Sequence, residues 1–340
     1  MANRRIRNVG IMTSGGDAPG MNAAIRAITR YAIKRDLGVI GFYRGYSGIV
    51  NEEYIELDRQ SVSNIVQRGG TILRSARCAE FMEPAGRDKA AKVLRKLKVD
   101  ALFVIGGDGS LKGAHTFADH WDGQIIGLPG TIDNDLQGTD YTIGYFTALD
   151  TALDSLDKVR DTADAFERVF LVEVMGRMAG FIALGVAIGC GAEEVLVPEQ
   201  GELDLRALVE RILATKKSGK ASCIIVVAEG VVHQGVRSLD ERVTIHDSGL
   251  LAKEIERNTG LETRAVILGH IQRGGNPAAL DRMLASMLGA YAVDIALEGG
   301  TDVMVGVQSQ QRCAVPLLET LGDGGKSLDP YMLQVQQLLV

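Results

Sequence analysis

The chain has 340 residues, 46% of them hydrophobic and 24% charged, which suits a globular protein with a sizeable core and two lobes rather than one. A formal net charge of −6 argues against nucleic acid as the main partner and leaves room for a small anion held by a local group of Arg and Lys. The longest uncharged stretch, Met178 to Ala192, falls short of the roughly 20 apolar residues of a spanning helix, so membrane insertion is not expected.

The N-terminal MANRRIRNVGIMT enters a strand-like run with no signal-peptide core. The four cysteines (Cys78, Cys190, Cys223, Cys313) are scattered without a CxxC, which speaks for reduced thiols, the cytoplasm, and neither zinc nor disulfides. In chain order, apolar β-branched runs predict strands at Asn8–Thr13, Val39–Tyr43, Ala101–Ile105, Gln124–Leu128, Val169–Val174, Ala221–Val227 and Ala265–Leu268. Between them, amphipathic patterning predicts helices at Met21–Arg35, Asp88–Leu97, Ser110–Trp121, Tyr145–Arg160, Asp204–Lys217 and Ala278–Glu298. Strands apolar throughout, with helices between them, imply parallel sheets covered on both faces: a doubly wound α/β fold. No Pro/Ser-rich linker separates two halves, so the chain is expected to cross between lobes more than once.

In such sheets ligands sit beyond the carboxyl ends of strands, and the loops there are loaded. The first strand ends in Thr13-Ser14-Gly15-Gly16-Asp17-Ala18-Pro19-Gly20 before a helix. Its glycines let backbone N–H groups face an oxyanion at a helix N-terminus, although a plain turn capped by Asp17 would also give this pattern. The third ends in Gly106-Gly107-Asp108-Gly109-Ser110. Asp108 there suits Mg²⁺, which takes one or two carboxylates plus substrate phosphates. The fourth delivers Gly130-Thr131-Ile132-Asp133-Asn134-Asp135. Two crowded carboxylates can divide the work of base and orienting group, or can simply be a polar turn. Arg168, Arg177, Arg264 and the run His270-Ile271-Gln272-Arg273 supply basic groups whose planar forks suit phosphate, although any one alone could be a surface ion pair. Gly325-Lys326-Ser327 imitates the end of a P-loop, but Thr320 stands where that motif needs Gly and no apolar strand leads in.

Taken together, TSGGDAPGMNAAIR (Thr13–Arg26), RGGTIL and SAR on either side of Arg74 (Arg68–Arg77), GGDGS, PGTIDND, VEVMGR (Val172–Arg177) and ETRAVILGHIQRGG (Glu262–Gly275) resemble the bacterial 6-phosphofructokinases, in order from about Asn8 to about Asp294. The resemblance implies two Rossmann-like lobes: a nucleotide lobe at 1–144 plus 272–311 and a sugar-phosphate lobe at 145–271 plus 312–340. It implies transfer of the γ-phosphoryl group of MgATP to the 1-hydroxyl of fructose 6-phosphate, as a homotetramer. Gly16, Arg77, Cys78, Gly107, Asp108, Gly109 and Ser110 then match the ATP loop, with Asp108 on Mg²⁺. Asp133 matches the general base, with Thr131 and Asp135 supporting it and Ile132 between. Arg177 matches the group that steadies the transferring phosphoryl, and Met175, Gly176 and Glu229 match sugar contacts. His270, Ile271, Gln272 and Arg273 match the sugar 6-phosphate segment, reached by Arg168 and Arg264 from a neighbouring subunit.

The chain departs from the family's pattern in places. Arg74 stands where Gly is usual, and the segment from Gly230 to about Asp247 is longer than in short bacterial forms. Arg26, Arg30, Arg160, Glu193 and Lys220 match the effector pocket, but Glu53 replaces an Arg and Ser218 and Ala221 replace lysines, so anion binding there is expected to be weak. Gly109 and Gly130, commonly Asp and Lys in pyrophosphate-using relatives, are expected to leave the cleft open to a nucleotide. The alternatives are a pyrophosphate-dependent phosphofructotransferase, a catalytically silent regulatory subunit, and a NAD or lipid kinase sharing only GGDG.

Overall fold

The structure is a computed structural model that describes residues 6–240, 242–321 and 325–339. In chain order its strands are β1 (Asn8–Thr13), β2 (Gly38–Phe42), β3 (Tyr54–Glu56), β4 (Ala101–Gly106), β5 (Gln124–Pro129), β6 (Val169–Val174), β7 (Glu194–Leu196), β8 (Cys223–Ala228), β9 (Val236–Arg237), β10 (Thr244–Ile245), β11 (Thr263–Ile267), β12 (Val303–Gln308) and β13 (Gln311–Pro316). The chain divides into two compact units, one of Met1–Ile132, Leu136–Thr147 and Arg273–Lys326, the other of Asp133–Asp135, Ala148–Gln272 and Ser327–Val340.

The first unit holds a seven-stranded sheet in the order β13-β12-β5-β4-β1-β2-β3. Pairing is parallel from β2 through β1, β4 and β5 to β12, and antiparallel at the β3 and β13 edges. Every residue of β4 is buried, which is why it reads as unbroken apolar sequence rather than as an alternation. Because β13 pairs along its length with β12, this unit runs on to Lys326, past the expected boundary at 311. Strand order reverses between β1 and β4, so the loops after these strands flank a topological switch point, where doubly wound sheets bind ligands.

The second unit holds a parallel sheet in the order β11-β6-β8-β7, its order reversing between β6 and β11. Within it the long segment after Glu229 folds as a helix, Glu229–Gln234, and the short β9–β10 hairpin. Asp247 then accepts from the Leu250 amide at 2.9 Å and caps the helix Ser248–Thr259. Among the described residues no helix is long and apolar enough to cross a membrane.

Candidate active site

In the first unit the loops after β1, β4 and β5 are fastened to each other and to the segment 68–77. Thr13 Oγ1 donates to the Arg74 carbonyl at 2.8 Å and lies 2.9 Å from Thr71 Oγ1, while Ser75 Oγ donates to the Gly15 carbonyl at 2.5 Å. The Asn22 side chain donates to the Arg68 and Gly69 carbonyls, each at 3.1 Å, and accepts from Ile72 N at 2.8 Å. These hydroxyls and this amide carry no charge to announce them in sequence, yet they set the shape of the segment that leads to Arg77 and Cys78. Arg74 in that segment has φ of 60°. The left-handed region suits glycine, in keeping with the glycine that the resemblance led one to expect there.

Gly107, Asp108, Gly109 and Ser110 form the start of the helix Asp108–Phe117. A Cβ at Gly106 would lie 2.6 Å from the Ser14 carbonyl oxygen, so the first and third loops touch backbone to backbone. A Cβ at Gly107 would come within 3.3 Å of Thr131 Cβ, which brings the β4 and β5 loops together. A Cβ at Gly109 would meet nothing within 4 Å, as expected of a residue that leaves room for a ligand. Gly130 differs from its expected role. Its Cβ would sit 2.9 Å from Ile105 Cγ2 and 3.1 Å from Met21 Cε, so its missing side chain faces packed interior rather than open cleft. Arg273 donates to the Asp17 carbonyl at 3.2 Å, and a Cβ at Gly16 would strike its Nη1 at 2.7 Å. Glycine at 16 is what lets this guanidinium lie across the loop.

Among the described residues no three His, Cys, Asp or Glu side chains group as a metal cage. A lone carboxylate at the start of a helix, with open space beside Gly109, fits the sparse protein ligation of Mg²⁺. Thr131 follows β5 and is buried.

In the second unit Asp133 is buried, 2% exposed, and Asn134 takes φ of 55° between Asp133 and Asp135. After β6 the chain turns sharply, with Gly176 at φ of 144° and Arg177 at 55°. Three successive amides of this turn are held by side chains. Met175 N donates to Gln272 Oε1 at 2.8 Å, and Gly176 N and Arg177 N donate to Glu229 Oε1 at 3.1 and 2.7 Å. Gln272 is fully buried, so its side chain supports the turn from beneath, whereas Ile271 is 57% exposed.

Arg168 and Arg264 are both brought to Glu262, which sequence reasoning gave no role. Arg168 Nε lies 2.6 Å from Glu262 Oε2, Arg264 pairs with the other oxygen, and Arg264 Nη1 also stands 3.5 Å from Glu256 Oε2. The hydrogen bond from Arg168 is the main reason that the Glu262 carboxyl sits below its ordinary range.

The residues of the expected effector pocket fall in both units. Arg26 and Arg30 share the helix Met21–Lys34, one turn apart. Arg160 donates to the Cys190 and Gly191 carbonyls at 2.7 and 3.1 Å, and Lys220 Nζ lies 3.4 Å from Glu193 Oε1. Arg44 pairs with Glu53. Lys326, of the P-loop imitation, donates to the Asp140 carbonyl.

The model of the family described as Phosphofructokinase matches residues 8–296. The chain belongs to the phosphofructokinase family. It is 49% identical over 330 residues to the ATP-dependent 6-phosphofructokinase 1 of Clostridium perfringens, covering 97% of this chain and 98% of that protein. The solved phosphofructokinase of Saccharomyces cerevisiae superposes with a TM-score of 0.84 at 34% identity, covering 93% of this chain and 45% of that chain, so this chain spans under half of the yeast one. The pyrophosphate-dependent phosphofructokinase of Nitrosospira multiformis superposes at 0.82 with 21% identity, over 96% of this chain and 86% of that chain; at that identity the likeness speaks for the fold alone.

Proposed function

We propose that the chain is an ATP-dependent 6-phosphofructokinase of glycolysis, with the first unit taking the nucleotide and the second the sugar phosphate. The observation that carries this reading is family membership at about half identity to ATP-dependent relatives across nearly the whole chain, with each expected loop intact. The open space at Gly109 supports a nucleotide donor over pyrophosphate.

In this reaction the 1-hydroxyl oxygen of fructose 6-phosphate forms a bond to the γ-phosphorus as the bond from that phosphorus to the bridging oxygen of ATP breaks. ADP leaves with the electron pair, and the hydroxyl proton passes to the Asp133 carboxylate. Burial of Asp133 keeps water from competing for that role. Thr131 and Asp135 orient the base. Arg177, fixed at positive φ by Glu229, steadies charge on the transferring group, and the N-terminal amides at Gly107–Ser110 face the nucleotide phosphates. Mg²⁺ held by Asp108 would supply charge neutralisation on those phosphates. His270 and Arg273 hold the 6-phosphate, and Arg168 and Arg264 reach the same group from a neighbouring copy in a homotetramer. The scattered thiols fit the cytoplasm, where glycolysis runs.

A coupled assay with fructose 6-phosphate and either ATP or pyrophosphate tests the reading. Turnover with ATP well above that with pyrophosphate is expected. Faster turnover with pyrophosphate would overturn the donor, and none with either would overturn the activity.

A further inference from the structure

Asp281 is fully buried in the first turn of the helix Ala279–Leu297, with no direct part in the proposed reaction. Its carboxylate faces the start of a second helix, Tyr145–Phe166. Oδ1 accepts from Gly144 N at 2.9 Å, and Oδ2 accepts from Thr147 N at 2.7 Å and from Thr147 Oγ1 at 2.5 Å. Thr147 Oγ1 in turn accepts from Ala278 N at 2.9 Å, so one carboxylate and one hydroxyl close a ring between the starts of two helices. Two helix N-termini brought together put partial positive charge against partial positive charge, and a shared carboxylate offsets both. Burial nevertheless pushes the Asp281 carboxyl above its ordinary range, against the pull of the bonds from Thr147 and Gly144. Burial makes this carboxylate depend on the three bonds that it accepts.

The ring also fixes what adjoins it. Ile143, next to Gly144, donates its amide to the Pro129 carbonyl at 2.8 Å and bridges to Gly130. A Cβ at Gly144 would lie 2.7 Å from Ala18 Cβ and 3.2 Å from Ile132 Cγ2, and one at Gly20 would come within 3.5 Å of the Asp281 carbonyl oxygen. Asp281 therefore secures the peptide that braces Gly130–Ile132, and Ile132 leads directly into Asp133. We propose that Asp281 is a positioning residue for the reaction, acting with Thr147 through Gly144 and Ile143 to hold the Thr131–Asp133 loop in register. This rests on the reading of Asp133 as the base. The ring's bonds go to Gly144, Thr147 and Ala278 and not to the amides at Gly107–Ser110 or to His270 and Arg273, so its loss should cost binding less than chemistry.

The test compares Asp281→Asn, Thr147→Val and Thr147→Ser with wild type in kcat, KM for each substrate, active-site titration and amide hydrogen exchange. In Asp281→Asn an NH₂ replaces an acceptor and opposes a donor; kcat should fall about 10- to 100-fold, the scale of a misplaced reacting group, with both KM values within about threefold. Thr147→Val should move the same way by less, and Thr147→Ser, which keeps the hydroxyl, should restore turnover. Exchange at 130–132 and at Gly144 should quicken relative to Leu102–Ile105 of the same sheet. Unchanged exchange at these sites, or a loss of kcat matched by the loss of titratable sites, would overturn the proposal. If wild type itself does not turn over fructose 6-phosphate, the functional reading fails separately, and exchange alone still decides whether Asp281 holds the loop.

Discussion

Arg74 sits at φ of 60° while its carbonyl accepts from Thr13. A left-handed non-glycine residue costs about 1–2 kcal/mol, and glycine's extra chain entropy returns part of that. Arg74→Gly should therefore stabilise the fold by roughly 0.5–1 kcal/mol, read by urea denaturation, since the carbonyl acceptor is kept. Asp133→Asn preserves shape but cannot take the hydroxyl proton, so kcat should fall roughly 10²- to 10⁴-fold with little change in KM. Near-wild-type turnover would remove Asp133 from the role. Gly109 and Gly130 look alike in sequence and differ in space, because sequence does not say where a missing Cβ would point. An Asp at 109 enters open space and should abolish ATP use through like-charge conflict with sugar-phosphate binding intact. A Lys at 130 must first displace Ile105 and Met21, so it should destabilise by about 1–3 kcal/mol before any change of donor is seen.

At the scale of elements, most strands with strong apolar runs were legible: β1 and β6 fall at the expected residues and β2, β4, β5, β8 and β11 shift at their ends by a residue or two, whereas the buried β12 and the short β3, β7, β9 and β10 were not expected. β13 escaped because an exposed edge strand carries no buried face to imprint a pattern, and its pairing with β12 closes a tight turn at Ser309 and Gln310, both at positive φ. The helix Phe181–Cys190 escaped because it is buried on nearly all sides and threaded with glycine, leaving no amphipathic period to read. Site residues fared likewise. Loops announced by glycine and Asp were legible, while the neutral supports Asn22, Thr147 and Ser75 were not, since their role lies in distant carbonyls and amides. At the turn Met175–Arg177 a residue that was legible has a support role that was not: Glu229 accepts from two of the turn's amides. Glu229→Ala would release Arg177 from positive φ, so kcat should drop as well as affinity for the sugar phosphate, whereas loss of a sugar contact alone would raise KM only. Steady-state kinetics separates the two.

At the scale of the whole molecule, two groups of charge bear on regulation and assembly. Arg44, the nearest substitute in sequence for the cation lost at Glu53, is paired with Glu53 itself. Each missing charge-assisted phosphate bond removes about 1.5–3 kcal/mol, so ADP and phosphoenolpyruvate should act weakly; saturable inhibition by submillimolar phosphoenolpyruvate would contradict this. Arg168 and Arg264 present a different case, two cations gathered by Glu262 on the β6 and β11 side of the second sheet and both still partly exposed. Because Arg168 depresses the Glu262 carboxyl, this bridge is present above the usual carboxylate range and is lost only as pH falls through the lowered value. Near neutral pH both arginines are thus held by Glu262, with the Arg168 guanidinium also stacked 4.4 Å over the Phe166 ring. If these arginines complete the 6-phosphate site of a neighbouring copy, activity must depend on assembly. Dilution until sedimentation shows single chains should then raise KM for fructose 6-phosphate steeply while ATP binding, built from the first unit's own loops, persists. Glu262→Gln should weaken sugar-phosphate affinity near neutral pH, where the wild-type bridge is ionised, without altering assembly, and the difference should fade as pH falls through the lowered Glu262 value. A monomer with undiminished affinity for the sugar phosphate would place both arginines outside the site.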